Sequence, residues 1–265
     1  EAMTRRRHDW RVGNIVYQVI VDRYAPSSRL KDKKSLYSKP RKLMKWSQKP
    51  KRRPRLEKEK VSGQEVEFWG GDLRSMMDQF DYIRDLGIDT VYLNPVFEAF
   101  TNHKYDAMDY FKVDPQYGTN EELGELVALA HDHGMRVILD GVLNHMSRRS
   151  KLFLDAQENP ESPYRHFFVI HEMLKNGYRG WRKVANLPEL NLENPAVRSY
   201  LYDHHDSVVQ YWIRQFKIDG WRLDVAPDLG FHHLSNITQY SHAAKPGSVV
   251  IGECWNYPEE WLEVM

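Results

Sequence analysis

The chain has 265 residues, with 38 Lys and Arg against 37 Asp and Glu, 41% hydrophobic residues and 12% aromatic ones. This length supports a sizeable core in one large domain or two small ones, and the eight Trp argue against global disorder. Balanced charge gives no basis for nucleic-acid binding, no apolar run approaches the roughly 18–20 residues of a membrane helix, and a lone Cys254 excludes an intrachain disulfide framework or a Cys-based zinc cluster.

At the N-terminus, Arg5, Arg6 and Arg7 are followed by no apolar stretch, so a secretory signal is not expected and the cytoplasm is the default compartment. Short apolar, β-branched runs then recur at Ile15–Val21, Thr90–Leu93, Arg136–Leu139, Gly220–Leu223 and Ser248–Ile251. They are too short for helices and read as buried strands. Between the first two strands, residues 29–60 are dense in Lys and Arg. This segment reads as a solvated, mobile loop, or alternatively as a docking patch for an acidic partner. Asp72 to Leu86 follows as a helix with Leu73, Met76, Met77, Phe80 and Ile83 on one face and Gly87 at its stop. Thr119 and Glu122 form a capping box for a second helix with Leu123, Leu126, Val127 and Ala130 inward, ended by Gly134. Residues 146–190 are irregular, the kind of long loop after a strand that often carries function. Asn194-Pro195 opens a third helix carrying Val197, Leu201, Val208 and Trp212, and a fourth starts near Pro258. Strand–helix alternation implies a parallel sheet with right-handed crossovers. Five such strands fit either a doubly wound open sheet or part of a (β/α)₈ barrel.

In both architectures ligands bind beyond the C-terminal ends of the strands. There the third, fourth and fifth strands end at Asp140, Asp224 and Glu253. Arg222 and Asp224 are two apart and share a side of the strand. A fixed cation beside Asp224 is expected to lower its pKa and keep it ionised, as a nucleophile requires. Glu253 lies in Ile-Gly-Glu-Cys-Trp, where apolar contact with Trp255 is expected to raise its pKa and suit it to general acid work. Two carboxyls pushed apart in this way fit retaining glycoside hydrolysis. His103, Tyr105 and Asp106 follow the second strand and His145 the third. Together they read as sugar-binding imidazoles with an aromatic face.

Asp140-Gly-Val-Leu-Asn-His145, Gly220-Trp-Arg-Leu-Asp224 and Gly252-Glu-Cys-Trp255 resemble three sequence regions of the α-amylase family, glycoside hydrolase family 13. Tyr17–Tyr24, Phe68–Leu73, His103–Asp106 with Asp109–Asp114, and Leu187–Asn191 are similar to further segments of that family, and all occur in family order. The resemblance implies an α/β fold, the (β/α)₈ TIM barrel of α-amylase type. About the first five strand–helix units would lie in 1–145 (with a basic loop at about 25–68) and 191–265, and a short domain B in 146–190. It implies Asp224 as nucleophile and Glu253 as acid/base, with Arg222 holding Asp224. His103, His145 and Trp255 would line the sugar site, Tyr105 would stack under the ring, and Asp140 would support Arg222 and Tyr105. No cofactor is required by it. In calcium-dependent members the Asn matching Asn144 helps hold the ion, so Asn144 is the one candidate metal ligand. The short domain B and Leu187–Asn191 look closer to neopullulanase and cyclomaltodextrinase-type enzymes. An α-glucan or maltooligosaccharide is the implied partner, with no nucleic acid or membrane.

The chain stops just past the fifth strand, before the family's third carboxylate. The expectation is therefore a truncated barrel, inactive alone, that associates as a homodimer or through its open edge. Two other readings stand beside it. One is a catalytically inactive carbohydrate-binding or scaffold fragment. The other is an enolase-type barrel whose strand-end carboxylates ligate Mg²⁺, which Arg222 argues against because a cation beside a ligand opposes metal binding.

Overall fold

The computed structural model describes residues 9–255. Its central feature is a parallel sheet of five strands: β1 (Val16–Val19), β2 (Thr90–Leu93), β3 (Arg136–Gly141), β4 (Gly220–Leu223) and β5 (Val249–Gly252). Each strand pairs with its sequence neighbours, in the order β1-β2-β3-β4-β5. A doubly wound sheet reverses strand order at a switch point. No reversal occurs here, so the order is that of a barrel wall. β2 is buried throughout, but Val16 on β1 and Ile251 on β5 are 44% and 39% exposed. The expectation of five buried strands thus holds for the middle of the sheet and is corrected at β1 and β5, which form its edges among the described residues.

The helices depart from the sequence pattern where side chains take backbone groups. The helix expected over Asp72–Leu86 is two: α1 (Leu73–Asp78) and α2 (Phe80–Asp85). They part at Gln79, whose carbonyl accepts a hydrogen bond from the Tyr24 hydroxyl at 3.0 Å. Helix α3 (Asn120–Asp132) has the expected capping box of Thr119 and Glu122. The helix expected from Asn194 onward is interrupted. A short α5 (Pro195–Arg198) runs into a π turn, Ser199–Asp203, and α6 (Val208–Phe216) starts afresh. Gln210 donates to the carbonyls of Tyr202 and His204 at 3.1 and 3.0 Å, satisfying acceptors that a continuous helix would have bonded itself. Residues 146–190 are not wholly irregular, since Ser150 caps α4 (Lys151–Glu158). Between β4 and β5 lie a short α7 (Ala226–Leu229) and α8 (Phe231–Ala244), which the sequence reading did not place. The helix expected near Pro258 lies outside the described residues. No described helix is long and apolar enough to cross a membrane.

The core lies between the sheet and these helices. Trp212 and Trp221 are fully buried there, and their indole N–H groups donate to the carbonyls of Tyr110 and Val209. At the start of β4 only glycine fits. Gly220 has φ +150°, and a Cβ would lie 1.9 Å from the Val249 carbonyl oxygen.

The basic segment is folded, which corrects its reading as a mobile loop. Lys42–Leu43 pairs with Glu67–Phe68, and Arg55–Leu56 pairs with Val61–Ser62. Tyr37, Val61, Val66, Phe68 and Phe100 form a second small core beneath it. Its cations are partly spent inward. Lys33 meets Asp72 at 2.9 Å, and Arg41 donates to the carbonyls of Leu36, Ala99 and Phe100.

Lys104 is the most deeply buried cation of this region, at 0% exposure, held by Asp114 at 2.7 Å and Gln116 at 2.9 Å over the Tyr117 ring. Removing one partner of a buried pair strands the other. Lys104→Met is expected to cost about 3–5 kcal/mol, measured as a lower urea midpoint. An unchanged midpoint would show that the pair does not hold this region.

Candidate active site

Register builds the site. Arg222 on β4 lies directly beside Asp140 on β3, since these two are paired residues of the ladder. One residue past β4, Asp224 donates its amide to the Gly141 carbonyl, and one residue past β5, Glu253 donates its amide to the Leu223 carbonyl. Three adjacent strand ends therefore deliver Asp140, Asp224 and Glu253 to one place.

Arg222 occupies the centre of that place. Its Nη1 donates to both Asp140 oxygens, at 2.8 and 3.0 Å, and to Asp224 Oδ1 at 3.0 Å. Its Nη2 lies 3.0 Å from Glu253 Oε1. One guanidinium thus bridges three carboxylates; burial lowers its pKa, but Asp140, Tyr92 and Tyr105 outweigh this and raise it. Asp140 is 1% exposed and also accepts hydrogen bonds from the hydroxyls of Tyr92 and Tyr105, the latter at 3.0 Å. Burial pushes its carboxyl up, and the guanidinium and hydroxyls pull it back.

The expected pKa split is reversed. Asp224 is pushed up to about 7: burial comes first, and the charges of Asp140 and Glu253 add to it, outweighing Arg222. The sequence reading gave Asp224 a private cation, but the cation is shared with two other carboxylates. Glu253 instead lies below its ordinary value. Burial raises it, but the Trp255 side chain, the hydrogen bond from the Val225 amide and the Arg222 charge prevail. Trp255 is 57% exposed and lowers the Glu253 pKa, where an apolar wall would raise it. The Val225 amide reaches Glu253 Oε2 at 2.9 Å because Val225 adopts φ 44°, ψ 46°. This left-handed conformation is costly for a β-branched residue, and such strain clusters at functional sites.

The remaining expected residues line the surroundings. Tyr105 is fixed by Asp140 and by Asn94, whose amide donates to its hydroxyl at 3.0 Å. His103 faces Tyr105 with ring centroids 5.7 Å apart, and its Nε2 lies 3.2 Å from Glu65 of the basic segment. His145 is buried and stacks on Trp181 at 5.6 Å, and its Nε2 has no protein partner. Burial drops its pKa to about 3, so the ring is neutral at ordinary pH. Trp181 in turn donates to Asp228 at 2.7 Å and meets Trp255 edge-on at 6.4 Å, so residues from 146–190 form one wall beside Glu253. The sequence reading missed Tyr92, Asn94, Glu65 and Trp181. Tyr92 looks like any strand hydrophobe, and only register brings its hydroxyl to Asp140.

Asn144, the candidate metal ligand, is buried beside His145. Its side-chain amide nitrogen contacts His145 Nδ1 at 3.2 Å, and its backbone carbonyl is taken by the Leu190 amide. Calcium needs six to eight oxygens, usually including carboxylates. Among the described residues the one group of three or more His, Cys, Asp or Glu side chains close enough to hold a metal is His204, His205 and Asp206, on the surface.

An acid cluster organised by one arginine thus lies at the strand ends of a parallel sheet with the order of a barrel wall. The model of the α-amylase catalytic domain matches residues 18–247. The chain belongs to the α-amylase family. The intracellular maltogenic amylase of Bacillus subtilis is 36% identical over 265 residues, covering 99% of this chain and 41% of that protein. A cyclomaltodextrinase of Thermoanaerobacter pseudethanolicus is 34% identical over 96% of this chain and 41% of its own length. The ligand-free structure of the cyclic α-maltosyl-(1→6)-maltose hydrolase of Arthrobacter globiformis superposes with a TM-score of 0.81 at 32% identity, covering 96% of this chain and 54% of that one. The chain therefore spans about two-fifths of the length of these curated relatives.

The raised Asp224 pKa carries a sign. The folded state binds its proton more tightly than the unfolded state does, so Asp224 costs stability as pH rises from about 4 to 7 and no further above that. Asp224→Asn removes this term. Its stability relative to the parent chain is expected to improve across that window, by at most about 1.4 kcal/mol per pH unit, and to level off above it. Urea unfolding at a series of pH values measures this. A difference that is flat with pH would show that Asp224 titrates normally.

Proposed function

We propose that this chain carries the nucleophile and the acid/base of a retaining glycoside hydrolase acting on the α-glucosidic linkages of α-glucans, maltooligosaccharides or cyclodextrins. The observation that supports it best is the Arg222 bridge. It holds Asp224 and Glu253 together at adjacent strand ends, as a double displacement at one anomeric carbon requires. Asp224 attacks to form the glycosyl-enzyme intermediate, and Glu253 protonates the leaving oxygen and then activates water. His103 and His145 bind sugar hydroxyls, the neutral His145 offering its unpartnered Nε2. Tyr105 presents its ring, Trp255 lines the side of Glu253, and Asp140 holds Arg222 and Tyr105 in place. Below about pH 7 the Asp224–Glu253 pair holds about one proton, mostly on Asp224. That is the proton count the first step needs, in the reverse position, so attack requires the proton to pass to Glu253 as substrate displaces water.

The division into barrel segments at 1–145 and 191–265 with domain B at 146–190 is part of this proposal, as is a cytoplasmic setting. The edges of β1 and β5, with exposed Val16 and Ile251, are the surface through which the chain associates, with the rest of a barrel or with a second copy. An enolase-type metal site is disfavoured, because the Arg222 guanidinium lies where a shared metal ion would sit.

The 265-residue chain alone is expected to release little reducing sugar from maltooligosaccharides, and robust release would overturn that part of the proposal. A chimera in which it replaces the matching part of the Bacillus subtilis relative is expected to hydrolyse cyclomaltodextrin with retention of anomeric configuration, followed by proton NMR. Asp224→Asn and Glu253→Gln should each lower kcat about 10³-fold, or roughly 4 kcal/mol. Binding without hydrolysis in the unmutated chimera would favour the scaffold reading.

A further inference from the structure

A second pocket, of about 310 Å³, lies between the turn of the Arg55–Ser62 hairpin and the 146–190 region. Its lining includes Lys60, Arg148, Arg149, Gln157, Asn176 and Tyr178, and no Asp or Glu. It shares no residue with the Arg222 cluster. Three cations converge on it, and only one is neutralised. Arg149 pairs with Glu59 and lies over the Phe100 ring at 3.8 Å. The side chains of Lys60 and Arg148 have no carboxylate within salt-bridge distance among the described residues, and both are only partly exposed. Burial and the neighbouring Arg148 weaken the hold of Arg149 on its proton, despite Glu59.

The backbone adds an independent observation. Lys60 has φ 61°, in the left-handed region where Gly or Asn is the ordinary occupant of a tight turn. A lysine there is disfavoured by the backbone and is placed where its side chain lines the pocket.

We propose that this pocket is a binding site for a phosphorylated sugar, with Lys60 and Arg148 holding the phosphate and Gln157, Asn176 and Tyr178 facing the sugar. Arginine forks match phosphate oxygens, and a lysine supplies a mobile point charge. Side-chain amides suit hydroxyls, and the apolar Phe153, Leu154 and Ala185 of the same lining suit a ring face. The volume is that of a small ligand and not of a nucleic-acid strand, so the uncompensated charge is confined to a concave site. The site does not depend on the roles given to Asp224 and Glu253.

Titration calorimetry of the full chain with glucose 6-phosphate, inorganic phosphate and glucose tests it. Saturable binding of glucose 6-phosphate is expected, weaker binding of inorganic phosphate, and none of glucose at the same concentration. Raising the salt should weaken the first two. Lys60→Met and Arg148→Met, which keep most of the apolar stem, should each weaken glucose 6-phosphate about tenfold, whereas Lys58→Met, on the same segment but outside the pocket, should not. The Arg148 side-chain Nε–H resonance of the parent chain should move with glucose 6-phosphate, which places the ligand without relying on any variant. No saturable binding, glucose bound as well as its phosphate, or an Arg148 resonance that does not move would each overturn the proposal. Inorganic phosphate bound as tightly as glucose 6-phosphate would overturn the sugar part and leave a phosphate site.

Discussion

One guanidinium shared by three carboxylates organises this molecule. Three acids at adjacent strand ends would repel one another in a buried setting, where charge is poorly screened. Arg222 makes their proximity tolerable. Because it is divided among Asp140, Asp224 and Glu253, it cannot fully ionise all of them. The most enclosed pair of interactions goes to Asp140, Glu253 is helped further by Trp255 and Val225, and Asp224 is left as the acid with the raised pKa. The chemistry of the site is thus a matter of how one positive charge is apportioned.

The positions of these groups were legible in the sequence, whereas their protonation was not. Asp140, Arg222, Asp224 and Glu253 stand at the ends of strands that periodicity and β-branching mark out, and a parallel sheet puts such ends on one face. The pKa order depends on counting every charge that reaches a given carboxylate. Asp140 reaches Asp224 only through strand register, with 82 residues separating Asp140 from Arg222, and no local pattern reports it. In the same way Trp255 looked apolar beside Glu253, yet its side chain lowers the pKa of that carboxyl.

The helices show a similar boundary. The capping box at Thr119 and Glu122 is local chemistry and appears as read. At the breaks, Gln79 and the turn after Asp203, the side chains of Tyr24 and Gln210 reach across to take backbone carbonyls. Helix α8 escaped notice because His, Ser, Asn and Thr dilute a stripe of Leu234, Ile237 and Ser241 that nevertheless has helical spacing. The basic segment looked like a loop because Lys and Arg dominate its composition. Its order comes from few residues, Tyr37, Val61, Val66 and Phe68, closing on Phe100 from beyond β2.

The sheet pairs every strand only with its neighbours in sequence. Such a wall can be laid down one unit at a time as the polypeptide emerges, with no strand waiting for a distant partner to be inserted between two others. The Arg222 bridge spans the last three strands of that order. Asp140 on β3 therefore meets its counter-ion only when β4 brings Arg222 into register beside it.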